Sequence, residues 1–503
     1  MLKLQNGSDI RGIAYPNDEK EVNLTLENAE YIFSAFLVWL EDKLKKEPCN
    51  MRIALGTDSR ITGREFQLLG INIYSSKQVE VMDCKMATTP AMFMTTVMED
   101  YDCDASIMIT ASHLPYYYNG FKFFTKDGGL NKQDITEILK IAQDLKEKSN
   151  KTDENTNKFS GKISEPNLIE DYSNLLLEKI RKNVNSSRNY DKPLENIKIL
   201  VDAGNGAGGF FADKILQRLG ANTSGSQFLN PDGMFPNHVP NPENKTAMKS
   251  ICDAVVKNGS DLGIIFDTDV DRAALVGKSG KPINKDALIA LISSIILSEH
   301  PNTTIVTDSI TSVGLAKFIE ANGGNHHRFK RGYKNVINEA IRLNDEGIES
   351  HLAIETSGHA ALKENYFLDD GAYLIAKILI EVAKLNEQGK SIESLIEELE
   401  QPKEEGEYRI EIAVSDFKNY AEMIINDLKS YVKSKNNWSE VEKNYEGIRV
   451  NCMDEKEEGW FLLRVSLHEP LLVLNIASKQ ENGVKEIYNS LKEFLSTYEL
   501  KNI

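Results

Sequence analysis

The chain has 503 residues, of which 41% are hydrophobic and 27% are charged, and its formal net charge at pH 7 is −17. This length exceeds what one hydrophobic core organises, so the sequence predicts about three or four domains. The acidic charge argues against nucleic acid and anionic membranes as partners, because both require a basic face.

The cysteines and the apolar segments indicate the compartment. The five cysteines are widely spaced and form no CxxC pair, which favours reduced thiols over a disulfide or zinc framework. The polar N-terminal residues lack the apolar core of a signal peptide, and the longest apolar run, residues 288–297, is too short to span a bilayer and predicts a buried helix. We therefore expect a cytoplasmic protein with no membrane partner, either a monomer or a small homo-oligomer.

Short apolar strands alternate with helical periods in the middle of the chain. Residues 196–202 predict a strand that precedes a helix at 210–219, and residues 304–308 predict one that precedes a helix at 313–321. Repeated strand–helix units indicate α/β domains with mostly parallel sheets, which place ligands at the C-terminal ends of their strands. The last hundred residues instead predict helix, strand, strand and helix, as in a small α+β domain.

Residues 110–122, which read TASHLPYYYNGFK, are the most informative segment of the chain. Ser112 and His113 follow a predicted strand, Ala105–Ile109, and the proline, asparagine and glycine after them stop any helix. We therefore expect Ser112 on an exposed loop, with Lys122 folding back as a fixed positive charge. A hydroxyl presented beside cations suits covalent catalysis, in particular the carrying of a phosphoryl group.

Three carboxylates follow another apolar strand. Asp267, Asp269 and Asp271 come directly after Leu262–Phe266 and precede Arg272. Side chains two residues apart share one face of an extended segment, so we expect these carboxylates to converge. Two such charges about 4 Å apart repel by roughly 4 kcal/mol at an effective dielectric constant near 20, which a bound cation relieves. Oxygen ligands favour Mg²⁺ or Ca²⁺, with Mg²⁺ preferred beside a phosphate.

Other interpretations of these loops stay open. The acidic loop could be a solvated surface loop, although an EF-hand is excluded because its glycine and terminal glutamate are missing. It could also belong to a haloacid-dehalogenase-type phosphotransferase with Asp267 as nucleophile, in which Ser112 has no role. Residues 204–209 fit G-x-G-x-x-G after a strand, but no acidic residue near position 224 supports a dinucleotide site, so a tight turn is favoured.

Polar residues also end a third apolar strand. Glu355, Ser357 and His359 follow it, where they can bind vicinal sugar hydroxyls. A basic cluster lies upstream and comprises His326, His327, Arg328, Lys330, Arg331 and Lys334. A solvated helix face explains most of this cluster, and one or two of its members are candidates for a phosphate contact.

Taken together, these loops resemble the α-D-phosphohexomutase family, in particular its phosphomannomutase/phosphoglucomutase group. The resemblance covers essentially the whole chain, with four loops in order. The phosphoserine loop T-A-S-H-N-P is similar to residues 110–115, the metal loop D-G-D-G-D-R to 267–272, the sugar loop G-E-x-S-G-H to 354–359 and the phosphate loop R-P-S-x-T-E-P to 464–470. Residues 7–12 and 230–237 match further segments of the family.

The resemblance implies an α/β protein of four domains around a central cleft. Three are α/β domains with mixed, mostly parallel sheets, and the last is a C-terminal α+β domain. A polar segment at 146–158 marks the first linker. The predicted domains are residues 1–155 with the phosphoserine loop, 156–278 with the metal loop, 279–390 with the sugar loop and 391–503 with the phosphate loop.

The resemblance also implies a phosphohexomutase of glucose or mannose phosphates, with Mg²⁺ as cofactor and glucose 1,6-bisphosphate as activator. Phosphorylated Ser112 gives its phosphoryl group to a hexose monophosphate, and the bound 1,6-bisphosphate returns its other phosphate to the serine. The implied metal ligands are Ser112, Asp267, Asp269 and Asp271. The implied catalytic residues are Ser112, His113, Lys122, Arg11 and Arg272, with His113 or Lys122 as proton shuttle. The implied substrate contacts are Glu355, Ser357, His359, Lys334, Arg464, Ser466 and His468.

Several positions depart from the family pattern. Leu114 replaces an asparagine in the phosphoserine loop, and Ile354 replaces a glycine in the sugar loop. The phosphate loop is altered most, with Leu467 and His468 at its centre and Val473 where a downstream arginine is common. The substrate stays open between glucose, mannose and glucosamine phosphates, the last being that of a phosphoglucosamine mutase. A non-catalytic sugar-phosphate-binding protein is the alternative of another class.

Overall fold

The computed structural model describes residues 2–18, 20–148, 161–454, 457–466 and 469–503. The chain divides into a first unit, Met1–Asn284 with Ser357–Ile392, and a second unit, Lys285–Thr356 with Glu393–Ile503. Among the helices that these ranges contain, none combines the length and the apolar character needed to cross a membrane.

The first unit begins with alternating strands and helices. They are β1 (Gln5–Asn6), β2 (Asp9–Ile13), α1 (Leu26–Leu44), β3 (Arg52–Thr57), α2 (Gly63–Ser76), β4 (Glu80–Met86), α3 (Thr89–Met94), β5 (Ala105–Ile109), β6 (Tyr118–Thr125), β7 (Gly128–Gly129), α4 (Lys132–Lys148), β8 (Ile163–Ser164) and α5 (Leu168–Val184). The described strands form one sheet in the order β1-β2-β6-β5-β3-β4-β8, with β7 paired to β6. β3, β4, β5 and β8 run parallel, whereas β1, β2, β6 and β7 pair antiparallel, so the sheet is mixed as predicted. The expectation of mostly parallel pairing is wrong for this sheet, because four of its seven described pairs are antiparallel.

Aromatic side chains join α1 to β6 in the core beneath this sheet. Phe33 and Phe36 on α1 contact Phe121 and Phe123 on β6, at ring-centroid distances of 4.7 and 4.5 Å respectively. Burial of each phenylalanine contributes about 2 kcal/mol to folding. The contacts anchor β6, the strand that carries Lys122.

The predicted linker at 146–158 overlaps the end of α4, which continues through Lys148. The prediction is wrong for these first residues, because lysine and glutamate are good helix formers and lysine favours the last helical turn. The rest of the linker, residues 149–158, lies outside the described residues. The domain limits predicted from the sequence stay predictions, and the first of them falls in the same stretch.

A second sheet completes this part of the first unit. Its elements are β9 (Ile199–Asp202), α6 (Lys245–Asn258), β10 (Leu262–Phe266), β11 (Ala273–Gly277) and β12 (Pro282–Ile283). The strand order is β12-β11-β10-β9, in which β9 and β10 are parallel and the other neighbours antiparallel. Residues 267–272, the candidate metal loop, connect β10 to β11.

The G-x-G-x-x-G segment at 204–209 forms a tight turn, as expected. It leads from β9 into a 3₁₀ turn, Ala207–Gly209, and then into a short π-helix, Phe211–Leu216. A Cβ atom added to Gly206 would lie 2.6 Å from the carbonyl oxygen of Thr268. The glycine therefore lets this turn pack directly against the β10–β11 connection.

The second unit begins with strand–helix units, which confirms that prediction. They are α7 (Lys285–Glu299), β13 (Thr304–Thr307), α8 (Val313–Ala321), β14 (Asn325–Arg328), α9 (Tyr333–Asp345) and β15 (Ser350–Ile354), and the strands β14, β13 and β15 run parallel in that order. The buried helix predicted at 288–297 lies within α7. The interpretation of the basic cluster as a solvated helix face is wrong, because His326, His327 and Arg328 lie half-buried on β14, at the end of that strand order. Charged residues are common on such edge strands.

The chain then returns to the first unit as β16 (Ala360–Leu362), β17 (Leu368–Asp369) and α10 (Gly371–Glu387). β16 and β17 pair antiparallel, and α10 packs against α5. A Cβ atom on Gly371 would lie 2.9 Å from the carbonyl oxygen of Arg272. The start of α10 therefore also lies against the β10–β11 connection.

The C-terminal part of the second unit is an α+β domain. Its elements are β18 (Glu404–Ile412), α11 (Phe417–Lys433), β19 (Trp438–Glu440), β20 (Ile448–Asp454), β21 (Glu457–Val465), β22 (Leu471–Ser478), α12 (Gly483–Leu495) and β23 (Leu500–Lys501). The strands form an antiparallel sheet of order β19-β20-β21-β22-β18-β23, with α11 and α12 against one face. The prediction of helix, strand, strand and helix is wrong in its number of strands, because four strands, β19 to β22, lie between α11 and α12. It also omits β18, which begins with the polar letters EEGE and joins the sheet by backbone pairing with β22.

We predict that Gly120→Ala destabilises the first unit by about 3 kcal/mol. Gly120 lies on β6 between β2 and β5, where an added Cβ would come within 2.2 Å of the Ile10 carbonyl oxygen and 2.9 Å of the Thr110 carbonyl oxygen. Thermal denaturation followed by circular dichroism measures the effect. In the control Gly7→Ala the added Cβ meets open space, so only the left-handed backbone is penalised, by about 1 kcal/mol. Equal stability of the two variants would contradict the packing described here.

Candidate active site

Ser112 lies just beyond the end of β5, in the turn that leads to β6. Its backbone φ is +49°, in the left-handed region that residues other than glycine seldom adopt. The residue is only 2% exposed, so the prediction of an exposed loop is wrong. The loop exists, but Asp267 and Arg272 cover it. Ser112 Oγ donates to Asp267 Oδ2 over 3.0 Å, and Arg272 Nη2 donates to Ser112 Oγ over 3.4 Å.

Arg60 holds this turn in place. Its guanidinium donates to the carbonyl oxygens of Ser112, Leu114, Pro115 and Tyr118, the last three over 2.6, 2.8 and 2.9 Å. Four hydrogen bonds from one rigid, buried group fix the backbone at the serine and in the turn that follows it. They offset the strain of a left-handed serine, which is about 1–3 kcal/mol.

A buried aspartate supports the same turn. Asp58 Oδ2 accepts from Thr110 Oγ1 over 2.6 Å, and Thr110 Oγ1 accepts from Ser112 N over 2.8 Å. Asp58 also pairs with Arg60 Nε at 3.3 Å. Burial raises the pKa of Asp58 to about 6 against the opposing charge of Arg60. Neither Asp58 nor Arg60 is among the predicted site residues. The feature of the sequence that could have identified them is their position directly after the apolar strand β3.

The three aspartates converge as predicted. One carboxylate oxygen from each of Asp267, Asp269 and Asp271 lies within 4.8 Å of the others, and all three residues are buried. The segment is a turn rather than the extended chain that the spacing suggested, because Val270 adopts φ +66°. A branched residue in the left-handed region marks backbone strain of the kind found at functional loops.

Positive groups surround the three carboxylates. Lys122 Nζ contacts Asp271 and lies 3.5 Å from Asp269 Oδ2, while Arg272 Nε lies 3.3 Å from Asp267 Oδ2. Burial and the two neighbouring carboxylates raise the pKa of Asp267 well above its usual range. Burial acts in the same direction on Asp271, but the charge of Lys122, with other nearby cations, outweighs it and lowers the pKa of that carboxyl.

This donor set fits a divalent cation that prefers oxygen ligands. Asp269 Oδ1 and Asp271 Oδ1 are buried and have no hydrogen-bond partner within the described ranges. Thr89, which was not predicted, donates to Asp269 Oδ2 and so orients that carboxylate. Unpartnered buried carboxylate oxygens are unfavourable unless a cation binds them. A divalent ion would also favour the ionised form of Asp267.

His113 lies beside Ser112, and Arg11 is close enough to His113 for its charge to act on the imidazole. His113 Nδ1 is 3.3 Å from Ser112 Oγ. The charge of Arg272, together with burial and the charge of Arg11, lowers the pKa of His113 well below its ordinary value. Arg11 Nη2 pairs with Asp9 Oδ2 at 2.8 Å. Among the predicted catalytic residues, the structure thus brings His113 and Arg272 next to the Ser112 hydroxyl and places Lys122 against the neighbouring carboxylates.

His359 joins the same cluster from the connection that precedes β16. Its Nδ1 contacts Asp369 and lies 3.9 Å from Asp271 Oδ1. Against the effect of burial, the charges of Asp369 and Asp271 raise the pKa of His359. Asp369 was not among the predicted site residues. Its contact with His359 becomes evident only from the structure, in which it lies on the paired strand β17. Ser357, the other predicted sugar contact of the first unit, is 7% exposed.

The remaining sugar-loop residues lie at the end of β15 in the second unit. Glu355 is 4% exposed, and its Oε1 accepts a hydrogen bond from Gly332 N. Thr356 Oγ1 donates to Asp308 Oδ2 over 2.7 Å, which ties the sugar loop to the end of β13. Lys334 lies half-buried in the first turn of α9. The structure therefore places Glu355 beside the loop that leads into α9.

The predicted phosphate grip also belongs to the second unit. Arg464 is 8% exposed on β21, and Ser466 follows that strand. Glu446, which was not predicted, accepts from Arg331 N over 2.9 Å and so joins the C-terminal domain to the loop before α9. His468 lies outside the described residues, and its phosphate contact stays a prediction.

Comparison with known protein families covers most of the chain. Residues 2–150, 170–280 and 284–402 match the three models described as phosphoglucomutase/phosphomannomutase, alpha/beta/alpha domains I, II and III. With the C-terminal sheet described above, this confirms the predicted class of three α/β domains and an α+β domain.

Individual relatives agree with the family models. A phosphomannomutase of Methanocaldococcus jannaschii is 30% identical over 457 residues, covering 89% of this chain and 90% of the relative. A phosphomannomutase/phosphoglucomutase of Pseudomonas syringae pv. tomato is 29% identical, covering 95% and 92% respectively. A crystal structure of a phosphoglucomutase/phosphomannomutase family protein from Burkholderia thailandensis has a TM-score of 0.77 and 25% identity, covering 98% of this chain and 96% of that one.

These matches argue against both alternative interpretations, a haloacid-dehalogenase-type phosphotransferase and a non-catalytic sugar-phosphate-binding protein. The relatives are phosphotransferases of the mutase type, and this chain is an enzyme of that kind. The chain belongs to the phosphoglucomutase/phosphomannomutase family.

Proposed function

We propose that this enzyme interconverts hexose 1-phosphates and hexose 6-phosphates, of glucose, mannose or both, through phosphorylated Ser112 and a bound 1,6-bisphosphate. The observation that carries the proposal is the 3.0 Å hydrogen bond between Ser112 Oγ and Asp267 Oδ2, which joins segments 155 residues apart. A serine hydroxyl held against a buried carboxylate cluster is suited to carry a phosphoryl group beside the cation that neutralises it.

Phosphoryl transfer then proceeds in two matching halves. In the first, a sugar hydroxyl oxygen bonds to phosphorus as the bond from phosphorus to Ser112 Oγ breaks, and the hydroxyl proton passes to His113 or Lys122. In the second, the phosphorus of the other phosphate bonds to Ser112 Oγ as the sugar oxygen leaves and regains a proton. Arg272, whose Nη2 lies 3.4 Å from Ser112 Oγ, stabilises the charge that develops. Glucose 1,6-bisphosphate acts as activator because it rephosphorylates a serine whose intermediate has escaped.

Asp267, Asp269 and Asp271 would hold Mg²⁺ together with an oxygen of phosphorylated Ser112. Bound there, the ion neutralises negative charge on the phosphoryl group. The support is that Asp269 Oδ1 and Asp271 Oδ1 are buried and have no hydrogen-bond partner in the part of the chain that the structure describes.

The substrate grip follows from the polar residues of the sugar and phosphate loops. Glu355 and Ser357 would bind the O3 and O4 hydroxyls, which stay available in either orientation of the sugar, and Arg464 with Ser466 would hold the phosphate that is not reacting. We assign further substrate contacts to His359, Lys334 and His468, and a place beside the phosphoserine to Arg11.

Ser112→Ala should lower turnover of glucose 1-phosphate by at least about a thousandfold, equivalent to about 4 kcal/mol of transition-state stabilisation. The variant removes the oxygen that carries the phosphoryl group. A coupled assay with Mg²⁺ and a trace of glucose 1,6-bisphosphate measures the loss. Running it with glucose, mannose and glucosamine 1-phosphates identifies the substrate, and we expect activity on the first two.

The matched control for this variant is Ser106→Ala. Ser106 is a buried serine on β5 whose Oγ has no partner among the residues described, so its loss should change turnover by less than about twofold. If Ser112→Ala were as active as this control, or if the unaltered protein turned over none of the three 1-phosphates, the proposed reaction would be wrong.

Asp269→Asn should weaken Mg²⁺ binding more than about tenfold, because it neutralises one of three carboxylates that face the ion. The rise in melting temperature on adding Mg²⁺ measures this binding. Asp83→Asn is the matched control, since Asp83 is also buried but pairs with Arg64. A Mg²⁺ response of equal size in the two variants would argue against the metal site.

A further inference from the structure

Two buried polar atoms on the C-terminal sheet have no hydrogen-bond partner within the described ranges. They are Asn475 Oδ1 on β22 and Arg464 Nε on β21, the strand beside it. Both residues are 8% exposed. Buried donors and acceptors in folded proteins are nearly always paired, so an unpaired donor and an unpaired acceptor close together indicate a ligand site.

The two side chains lie on one face of the sheet. Arg464 is in register with Val473, and Leu462 with Asn475, so Arg464 and Asn475 occupy diagonal positions on adjacent strands. Glu407 on β18 pairs with Asn475 from its other side. The side chains at the intervening positions of these strands point to the opposite face of the sheet. There they pack against α11 and α12 and form the apolar core. The face that carries Arg464 and Asn475 is therefore separate from that core.

Glu407 determines which end of the Asn475 amide is available. Asn475 Nδ2 donates to Glu407 Oε2 over 3.2 Å, and Arg409 Nε donates to Glu407 Oε1 over 3.2 Å. Although burial opposes it, these hydrogen bonds lower the pKa of Glu407. An ionised carboxylate only accepts hydrogen bonds, so the amide NH₂ faces Glu407 and the amide oxygen is the atom that needs a donor.

The chemistry of the two unpaired atoms identifies the class of ligand. Arg464 Nε is a charged donor, which suits the acceptor oxygens of a phosphate. Asn475 Oδ1 is an acceptor, which the fully ionised phosphate group of a sugar phosphate does not satisfy but a hydroxyl group does. A hexose phosphate carries both groups a few bonds apart.

We propose that Asn475 recognises the sugar: its amide oxygen accepts a hydrogen bond from one hydroxyl of a hexose whose phosphate lies on Arg464. This inference rests on the proposed function, because the phosphate on Arg464 is the one assigned there to the substrate. Glu407 is a positioning residue, since it turns the acceptor end of the amide toward the ligand. A buried acceptor discriminates strongly against a sugar that lacks the matching hydroxyl.

The test is a thermodynamic cycle between Asn475 and the ligand. Isothermal titration calorimetry measures binding of glucose 1-phosphate, of its 2-, 3-, 4- and 6-deoxy analogues and of inorganic phosphate to the unaltered protein and to Asn475→Ala. We expect the variant to bind glucose 1-phosphate about tenfold more weakly and inorganic phosphate less than about twofold more weakly. One deoxy analogue should bind the unaltered protein about tenfold more weakly and lose nothing further in the variant.

Two more variants keep the test interpretable. Asn451→Ala is the matched control, because Asn451 lies on β20 in register with Trp460, on the same face but away from Arg464, and it should change neither affinity by more than about twofold. In Glu407→Gln the new amide can donate to Asn475 Oδ1. The dissociation constant of glucose 1-phosphate should therefore rise relative to that of inorganic phosphate, although Asn475 is intact.

Equal weakening of glucose 1-phosphate and inorganic phosphate in Asn475→Ala, or equal weakening of every deoxy analogue, overturns the proposal. If that variant fails to fold, Glu407→Gln decides alone, and an unchanged ratio of the two dissociation constants rejects the contact. Because the cycle measures binding, it is separable from turnover. If turnover is normal but the effects of Asn475→Ala and of each deoxy analogue simply add, only the hydroxyl contact is rejected. If these effects are coupled as expected but the protein shows no turnover, only the mutase reaction is rejected.

Discussion

The first unit depends on one electrostatic constraint, the burial of three aspartates in a single connection between strands. Such a cluster is stable only when positive charge lies close to it. Lys122 supplies that charge from β6, and Arg272 from the end of the aspartate loop itself. Ser112 adds a hydrogen bond to Asp267. After these contacts one oxygen of Asp269 and one of Asp271 still have no hydrogen-bond partner among the described residues, so the arrangement is suited to a further cation and a phosphoryl group.

Both reacting loops are held in strained backbone conformations. Ser112 and Val270 each adopt a left-handed φ, and each is fixed by neighbours that have little freedom to move. Arg60 binds the backbone around Ser112, and Gly206 allows the turn after β9 to approach the aspartate loop closely. Strain held in this way fixes the serine and the carboxylates in place, so the proposed reaction would need little reorganisation.

The sequence predicts several strands and helices and the polar loops that follow them, because apolar strands that end in polar residues leave a clear pattern. It does not predict the burial of Ser112, which results from Asp267 and Arg272, side chains supplied by a segment distant in sequence. The strand β18 is missed because its polar residues resemble a linker and only pairing with β22 makes them a strand. Asn475 is missed for a related reason. Its partner Glu407 and its neighbour Arg464 lie on other strands, and only the register of the sheet brings the three together.

The proposed reaction requires that the phosphoryl group on Ser112 is the one transferred to the substrate. Single-turnover rapid quench tests this directly, with isotopically labelled phosphoserine enzyme in excess over glucose 6-phosphate. Label should leave Ser112 at least as fast as steady-state turnover and appear first in a hexose bisphosphate. Label that stays on Ser112 while turnover continues, or that is found in an acid-labile linkage to Asp267, would contradict it.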